Sequence, residues 1–289
     1  MNAIIYYGFV KPFSMLPLWL LYGLSDFARL ILFHLFGYRK EVILSNIRGS
    51  FPEKSEKEIK AIANEFYKHF CDLIVESVKG FSISEKQVCK RVVFSNPELA
   101  NEIYEQGKSL IITGGHYGNW EWYALAAPLY HKHKILGIYK PLKNEYFDKK
   151  IRDTRARFGL ELISMKKVKQ YYEDHQDTQF ACVFATDQSP SSVKKCYWLD
   201  FLNRETAVLT GSELMARKYN HPVIYGEITK VKRGYYQLNY KHVSLDPSKT
   251  EEQEITKIHT KLLEETILQE PPYWLWSHKR WKRKREQAT

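Results

Sequence analysis

A histidine and a glutamate five positions apart are the residues of this sequence best suited to acid–base chemistry. His116 and Glu121 lie in the stretch Gly-Gly-His-Tyr-Gly-Asn-Trp-Glu. An imidazole that a carboxylate orients can remove the proton of a hydroxyl group and so make the oxygen nucleophilic. Such pairs are common, so the spacing alone does not identify a catalytic site. The His-Glu-x-x-His spacing of a zinc site is absent, and we expect neither a metal nor another cofactor.

The surrounding sequence predicts a strand–loop–helix unit that would position this pair. Residues 110–112 are apolar and indicate a short buried strand, which Gly114 and Gly115 bring to an end. We expect both glycines to adopt backbone angles that other residues resist. Asn119 is a good N-cap for the following helix, and Glu121 would lie in its first turn. Open α/β sheets bind ligands at the carboxyl ends of their strands, so we expect the loop to bring imidazole and carboxylate together there.

Strand-like and helix-like segments alternate along most of the chain. Strands are predicted at residues 91–94, 135–139, 160–164 and 179–185, and a hairpin at 222–229 and 235–242. Helices are predicted at residues 59–74, 97–106, 120–129, 145–158, 166–174, 206–219 and 251–269. Ser55 with Glu58 and Ser84 with Gln87 are capping patterns at helix starts. The alternation predicts an α/β fold with a mixed, mostly parallel sheet flanked by helices.

The N-terminal part of the chain is its most apolar region. We expect residues 1–50 to form a membrane-associated helical segment and residues 51–289 to form one catalytic domain. Residues 16–38 are long enough to span a bilayer, and fit a membrane-dipping helix, a full span or a buried helix of a soluble protein. Asp26 and Arg29 are costly inside a membrane, and their spacing allows them to pair on one helical face. The cleavage site of a signal peptide is absent.

The chain is strongly basic and rich in aromatic residues, with a formal net charge of +11 and 15% Phe, Trp and Tyr. This balance predicts an acidic partner, such as anionic lipid, nucleic acid or an acidic protein. Residues 278–285 hold six lysines or arginines, and Trp274, Trp276 and Trp281 are close by. We expect this tail to face an anionic membrane surface rather than to serve only as a solubilising end. No recognised nucleic-acid motif is present, so we expect no nucleic-acid partner.

Two further groups of residues could serve a site on the sheet edge. Arg152, Arg155 and Arg157 fall on or beside one predicted helix. They fit either a solvated surface or a clamp for a phosphate group or a developing oxyanion, since a guanidinium fork suits both. Asp187 follows an apolar strand and therefore lies at the ligand-binding edge, where it could instead cap its own loop.

Five stretches of the sequence resemble one known family. The Gly-Gly-His-Tyr-Gly-Asn-Trp-Glu stretch is similar to the His-x-x-x-x-Glu block of the bacterial lipid A biosynthesis (lauroyl/myristoyl) acyltransferases. That family lies within the wider lysophospholipid or glycerolipid acyltransferase superfamily, whose signature is His-x-x-x-x-Asp/Glu. The other blocks follow in the same order as in the family, at residues 46–52, 139–159, 187–188 and 272–282. The Phe201-Leu202-Asn203 stretch departs from the family's Phe-Phe-Gly, but Asn tolerates left-handed geometry, so the turn can survive.

The resemblance implies a glycerolipid acyltransferase-like fold with an N-terminal membrane anchor. It implies O-acyl transfer from an acyl carrier protein thioester to a lipid hydroxyl, specifically the 3-hydroxyacyl chain of a lipid A precursor. The location implied is the cytoplasmic face of a Gram-negative inner membrane. His116 would act as general base and Glu121 would orient its imidazole. The expected substrate-binding residues are Arg155, Arg157, Asp187, Asn119 and Gly115.

Other functions fit parts of the same sequence. The acceptor could be a lysophospholipid, an aminolipid or a pigment precursor, with the same chemistry at the hydroxyl. A membrane-bound scaffold that keeps the fold without turnover is a different class, against which the His116 and Glu121 pair argues. A basic nucleic-acid-binding protein is the third class.

Overall fold

A seven-stranded sheet forms the centre of the computed structural model, which describes residues 1–32, 37–194 and 196–285. The strand order is β1-β9-β8-β2-β5-β3-β4. The bounds are β1 Val92–Phe94, β2 Leu110–Gly114, β3 Lys134–Tyr139, β4 Glu161–Ser164, β5 Phe180–Ala185, β8 Val223–Lys232 and β9 Tyr235–Ser244. Strands β8, β2, β5, β3 and β4 run parallel to one another, whereas β9 is antiparallel to β8 and parallel to β1. The prediction of a mixed, mostly parallel sheet is confirmed.

Helices cover both faces of this sheet. Their bounds are α1 Asn2–Ile5, α2 Lys11–Met15, α3 Leu18–Leu30, α4 Lys40–Ser50, α5 Glu56–Lys79, α6 Glu85–Arg91, α7 Glu98–Glu105, α8 Trp120–Tyr130, α9 Glu145–Arg155, α10 Val168–Asp174, α11 Gly211–Tyr219 and α12 Glu254–Gln269. Successive strand residues point to opposite faces. Accordingly Ile112 packs in the same core cluster as Trp122 of α8, while its neighbour Ile111 packs with Ala216 of α11 and Ile255 of α12.

The predicted helix starts are confirmed by their hydrogen bonds. Ser55 and Glu58 form a complete capping box at α5, and Ser84 and Gln87 form one at α6. Helix α5 buries apolar side chains along one face, as its spacing predicts. The helix also buries polar residues that the apolar periodicity does not explain, namely His69, Asp72, Glu76 and Lys79.

The helix predicted at residues 206–219 is wrong over its first part. Arg204–Leu209 is strand β7, which pairs with β6, Cys196–Phe201, in a separate antiparallel hairpin, and α11 begins only at Gly211. The turn between the two strands places Leu202 and Asn203 at φ 52° and 60°. Two consecutive positive φ angles suit a two-residue hairpin, whose twist then commits the following residues to a strand. The expectation that Asn203 adopts left-handed geometry is confirmed.

The N-terminal segment folds back on itself before α4 begins. Short helices and a π-helical turn, Tyr6–Val10, lead to Met15, and α3 follows at a bend of 112°. Within the described ranges no individual helix has the length and apolar character to cross a membrane, although residues 2–15 and 18–30 together meet that criterion as a bent pair. Residues 33–36 of the predicted apolar stretch lie outside the described residues.

Helix α3 packs on α5 with its polar side inward. Ser25 is buried, whereas Trp19 and Phe27 are 74% and 63% exposed. The expected pair between Asp26 and Arg29 does not form as a direct bridge. Asp26 instead forms a bidentate ion pair with Arg233 of the β8–β9 turn, and Arg29 donates to Asn64 of α5. These partners are distant in sequence, so helical spacing alone could not identify them.

Candidate active site

His116 lies directly after β2, at the carboxyl ends of the parallel strands. The glycines around it act differently from our expectation, because Gly114 and Gly115 have no positive φ whereas Gly118 has φ 60°. Gly115 is needed for space, since a Cβ there would lie 2.8 Å from a methyl carbon of Leu263 and 3.2 Å from Asp187. The glycine-rich loop therefore lets the backbone approach both α12 and the carboxylate that follows β5.

Asp187 is the hydrogen-bonding partner of the His116 imidazole. Its Oδ1 lies 2.7 Å from Nδ1 of His116, and its Oδ2 accepts from the main-chain N–H of His116 at 2.7 Å. The indole of Trp274 also donates to Oδ2, at 2.9 Å. A carboxylate only accepts, so Nδ1 carries the proton and Nε2 keeps its lone pair. The amide of Gln188 lies 3.3 Å from that Nε2.

The charges around His116 favour its protonated form. Burial lowers the pKa of His116, but the Asp187 carboxylate outweighs this effect and Glu121 adds a smaller contribution in the same direction, so the pKa is raised. Burial alone would raise the pKa of Asp187, but the imidazole and the donors around it lower the pKa to about 2. Asp187 is thus ionised at neutral pH and can stabilise an imidazolium on its neighbour.

Glu121 pairs with Arg155 rather than with His116. Arg155 donates through Nε and Nη2 to the two carboxylate oxygens of Glu121, at 3.0 and 2.6 Å. The expectation that Glu121 orients the imidazole through a hydrogen bond is therefore wrong, and Asp187 occupies that position. The reason is geometric: Glu121 in the first turn of α8 faces the last turn of α9, where a guanidinium fork matches a carboxylate in two bonds.

Two expected substrate-binding residues have their polar groups turned into the protein. Asn119 is buried, with Oδ1 accepting from Trp122 N at the start of α8 and Nδ2 donating to Glu76 at 2.6 Å. Arg157 donates to the carbonyl oxygens of Gly80 and Ile83, just beyond the end of α5. The N-cap prediction for Asn119 is confirmed, and the contacts of both residues favour positioning roles over direct substrate binding.

A cavity of about 700 Å³ opens beside the imidazole. His116, Gly115, Glu121, Arg155 and Gln188 line it. Strand residues from both faces of the sheet contribute apolar walls, with Ile112, Ile135, Gly137 and Val183 from one face and Ile138 and Phe184 from the other. Because alternate residues of a strand face opposite sides, the cavity extends around the carboxyl edge of the sheet. Such a space suits a ligand with long apolar parts.

Three basic side chains line the rim of the cavity, and one of them, Arg152, lies 3.9 Å from the carboxylate of Asp148, which also lines the cavity. Lys140, Arg152 and Lys169 line it and are exposed, and the apolar side chain of Leu142 is 47% exposed beside them. This arrangement places positive charge where a ligand enters and apolar surface further inside. Within the described residues, no group of three or more His, Cys, Asp or Glu side chains is arranged to hold a metal ion.

The C-terminal segment forms part of the site, a role that the sequence did not predict. Leu275 N donates to His116 O, and Gly118 N donates to Tyr273 O. Trp274 and Trp276 are 2% and 0% exposed, so the expectation that they lie at a membrane surface is wrong. No local pattern could reveal this, because the main-chain partners of Tyr273 and Leu275 in the His116 loop lie more than 150 residues earlier. Of the tail predicted at residues 278–285, Lys279 and the basic side chains of residues 282–285 are exposed, whereas Arg280 is buried and donates to Ala207 O, so the prediction is wrong for that residue.

Comparison with known protein families finds a family that matches the chain. The family model described as bacterial lipid A biosynthesis acyltransferase matches residues 2–283. No curated protein matches the chain. The match covers the loop of His116, both of the carboxylates near it and the C-terminal segment that supports the loop.

Proposed function

The chain belongs to the bacterial lipid A biosynthesis acyltransferase family and is an acyltransferase, and on that basis we propose that it transfers a fatty acyl chain from an acyl carrier protein thioester to a hydroxyl of a lipid A precursor. The acceptor we propose is the 3-hydroxyl of an acyl chain already on the lipid, so the reaction is a secondary acylation. One observation carries the proposal. His116 lies at the wall of a large apolar-lined cavity, with Nδ1 held by Asp187 and with a lone pair on Nε2, 3.3 Å from the Gln188 amide, that can act as a base.

The proton follows a simple path in this mechanism. Nε2 of His116 removes the acceptor proton as the hydroxyl oxygen attacks the thioester carbonyl, and Asp187 stabilises the resulting imidazolium. When the tetrahedral intermediate collapses, the new ester C–O bond remains and the C–S bond breaks. The departing thiolate takes the proton from the imidazolium, so the base is restored at the end of each turnover.

In this proposal the pair of Glu121 and Arg155 stabilises negative charge on the substrates. Two nitrogens of Arg155 are held by Glu121, and the third, Nη1, lies outside that pair. Both residues line the cavity beside His116. Glu121 thus fixes the guanidinium, whose charge stabilises either the oxyanion or a phosphate of the acceptor.

The charge and apolar surface of the protein support the proposed substrates. The apolar walls of the cavity suit hydrocarbon chains, and the basic rim of Lys140, Arg152 and Lys169 suits an acidic carrier protein or a phosphorylated lipid. The outer side of the N-terminal segment exposes Ile4, Phe9, Trp19 and Phe27. We place this surface in the interface of the inner membrane at its cytoplasmic face, with the exposed basic tail beside anionic headgroups.

Two experiments test the proposal together. Purified enzyme should move the acyl chain of tetradecanoyl acyl carrier protein onto a lipid A precursor in mixed micelles, with the precursor lacking a 3-hydroxyl as control. Mass spectrometry of a deletion strain should show lipid A that lacks one secondary acyl chain. If lipid A is unchanged and a lysophospholipid, aminolipid or pigment precursor accumulates instead, the reaction class stands and the acceptor assignment fails.

A further inference from the structure

A buried carboxylate on α5 connects the N-terminal helix to the loop that carries His116. Glu76 is fully buried and accepts three side-chain hydrogen bonds. The donors are the Tyr22 hydroxyl of α3 at 2.7 Å, the Tyr236 hydroxyl of β9 at 2.7 Å and the Asn119 amide at 2.6 Å. A buried carboxylate is tolerated only when it is well satisfied, so these three elements are held at one point.

The bond from Glu76 fixes the geometry of Asn119. A carboxylate accepts and does not donate, so it selects the amide orientation in which Nδ2 faces Glu76. The amide oxygen is then directed at Trp122 N, where it caps α8. Asn119 lies between His116 and Glu121, and both of those residues line the cavity. We therefore expect a change at Glu76 to alter the positions of His116 and Glu121, although Glu76 itself does not line the cavity.

A second contact from α5 holds the same loop. His69 is seven residues before Glu76 on the same helix, and its Nε2 lies 3.1 Å from Gly118 O. Burial lowers the pKa of His69 to about 3, so the ring is neutral and Nε2–H donates to that carbonyl. Lys230 lies 3.4 Å from the other ring nitrogen and 3.8 Å from Asp72.

Asp72 connects this second contact to helix α3. Its carboxylate accepts a hydrogen bond from Ser25 of α3 at 2.7 Å and another from Arg233. Arg233 also forms an ion pair with Asp26 of α3. Asp72 is fully buried, like Glu76. Helix α3 is thus attached to α5 through polar hydrogen bonds, and Glu76 and His69 of α5 in turn bond to the His116 loop. Its outer side is apolar and exposed at Trp19 and Phe27.

We propose that Glu76 is a positioning residue through which the docked N-terminal helix sets the geometry of the His116 loop. The proposal rests on the proposed acyl transfer, and it adds that α3 controls the catalytic step as well as the location of the enzyme. Tyr22 is the residue on α3 that Glu76 contacts directly. Loss of the Tyr22 hydroxyl leaves the packing of the ring and removes one of the three donors.

The test compares Tyr22→Phe with a matched loss of a hydroxyl elsewhere. Tyr130 donates to the carbonyl oxygens of Cys89 and Val92 at the far end of α8, so Tyr130→Phe is the control. With tetradecanoyl acyl carrier protein and a lipid A precursor, Tyr22→Phe should lower kcat about 10-fold, within the range that small misplacements of reacting groups produce, and leave KM unchanged. Tyr130→Phe should leave kcat unchanged.

The double change Tyr22→Phe with Glu76→Gln identifies the route. If Tyr22 acts through Glu76, the loss in kcat of the double variant should be smaller than the product of the two single losses. Wild-type kcat in a folded Tyr22→Phe enzyme would overturn the proposal. So would multiplying losses, or losses that simply follow the fraction of folded protein in thermal unfolding.

A measurement that needs no substrate separates this proposal from the proposed function. The imidazole ¹⁵N resonances of His116 should shift in Tyr22→Phe and stay in place in Tyr130→Phe. If they shift while the wild-type enzyme transfers no acyl chain to any of the acceptors named above, the coupling stands and the proposed function falls. Unmoved His116 resonances in Tyr22→Phe would refute the coupling, whatever the activity.

Discussion

At the scale of single residues, His116 depends on Asp187 for its tautomer and on Glu121 only through charge. His116→Ala and Asp187→Asn should each lower kcat by about 10² to 10⁴-fold, because one removes the base and the other lets the ring adopt the wrong tautomer. The losses should not multiply in the double variant, since the two residues act as a unit. Single-turnover transfer of a radiolabelled acyl chain measures this. Near wild-type turnover by folded His116→Ala would contradict the mechanism.

The pH profile of the reaction follows from the same pair. The base must be unprotonated to act, and Asp187 raises the pKa of His116 above its usual 6.5. Activity, as kcat/KM, should therefore be low in acid and should rise as the pH passes that raised pKa. Asp187→Asn should move this rise to lower pH, because the charge that favours the imidazolium is gone. A rise at unchanged pH in Asp187→Asn would show that another group controls the profile.

Sequence reasoning identified these residues but assigned them the wrong partners. Glu121 is near His116 in sequence, and both this spacing and the family resemblance led to the prediction that it orients the imidazole. Asp187 lies 71 residues further along the chain and meets His116 only because β2 and β5 are adjacent parallel strands. Local sequence gives the residue types and the ends of strands, but the pairing of side chains on neighbouring strands requires the strand order.

At the scale of elements, α9 and the turn after it present two arginines with different tasks. Arg155→Ala should reduce kcat strongly with little change in melting temperature, because the pair with Glu121 is partly exposed and lines the cavity. Arg155→Lys should rescue poorly, since an ammonium group cannot make the two parallel bonds of a guanidinium. Arg157→Ala should instead lower the melting temperature, because it deprives two carbonyl oxygens beyond α5 of their donors. Paired activity assays and thermal unfolding distinguish the two, and equal effects would undo this division.

Strand β3 offers a way to change the depth of the cavity. A Cβ at Gly137 would lie 3.2 Å from Leu162 and 3.4 Å from Leu160, and all three residues line the cavity. Gly137→Val should therefore shift the preference toward shorter acyl thioesters, as measured across a series of chain lengths. Gly8→Val is the control, because a Cβ there would meet nothing within 4 Å and Gly8 does not line the cavity. An unchanged preference in Gly137→Val would place the acyl chain elsewhere.

Elements with strong local signals were the ones that the sequence predicted well. The capping boxes of α5 and α6 and the β8–β9 hairpin each formed where their residue patterns indicate. Strand β7 was missed because the prediction joined residues 206–209 to α11 in one helix, although Thr210 separates the two elements. The left-handed turn at Leu202 and Asn203 makes residues 204–209 the second strand of a hairpin. Asp26 and Arg29 do not pair with each other because each bonds to a residue that is distant in sequence. Asp26 pairs with Arg233, and Arg29 donates to Asn64.

At the scale of the whole molecule, the exposed apolar side of the N-terminal segment defines the proposed membrane face. Phe27→Glu should weaken binding to vesicles that contain anionic phospholipid, because it places a charge on that face while Phe27 makes no contribution to the buried polar network. Leu245→Glu changes a similarly exposed apolar residue after β9 and should leave vesicle binding intact. Sedimentation with vesicles at low and high salt provides the measurement. Equal binding by both variants and the wild type would mean that the membrane face lies elsewhere.

Buried and half-buried histidines make the fold sensitive to acid. Burial lowers the pKa of His69 and His259 to about 3 and of His131 and His221 to about 4. The unfolded chain binds protons at these sites near the usual pKa of about 6.5, so stability should fall as the pH drops below that value. His116 has the opposite sign, because its pKa is raised in the fold. The melting temperature should thus decrease from pH 7 to pH 5, and His259→Gln should flatten the decrease. A melting temperature that is constant over this range would contradict the assignment.

The attachment of α3 also determines the order in which the protein can be completed during synthesis. Asp26 and its partner Arg233 are 207 residues apart. At a ribosomal rate of about 5 to 20 residues per second, the hairpin that carries Arg233 appears about 10 to 40 s after α3. During that interval the apolar side of α3 can already meet a lipid surface and its polar side can already contact α5, while Asp26 still lacks Arg233. The ion pair with Arg233 therefore completes the attachment of α3 only after β8 has been synthesised.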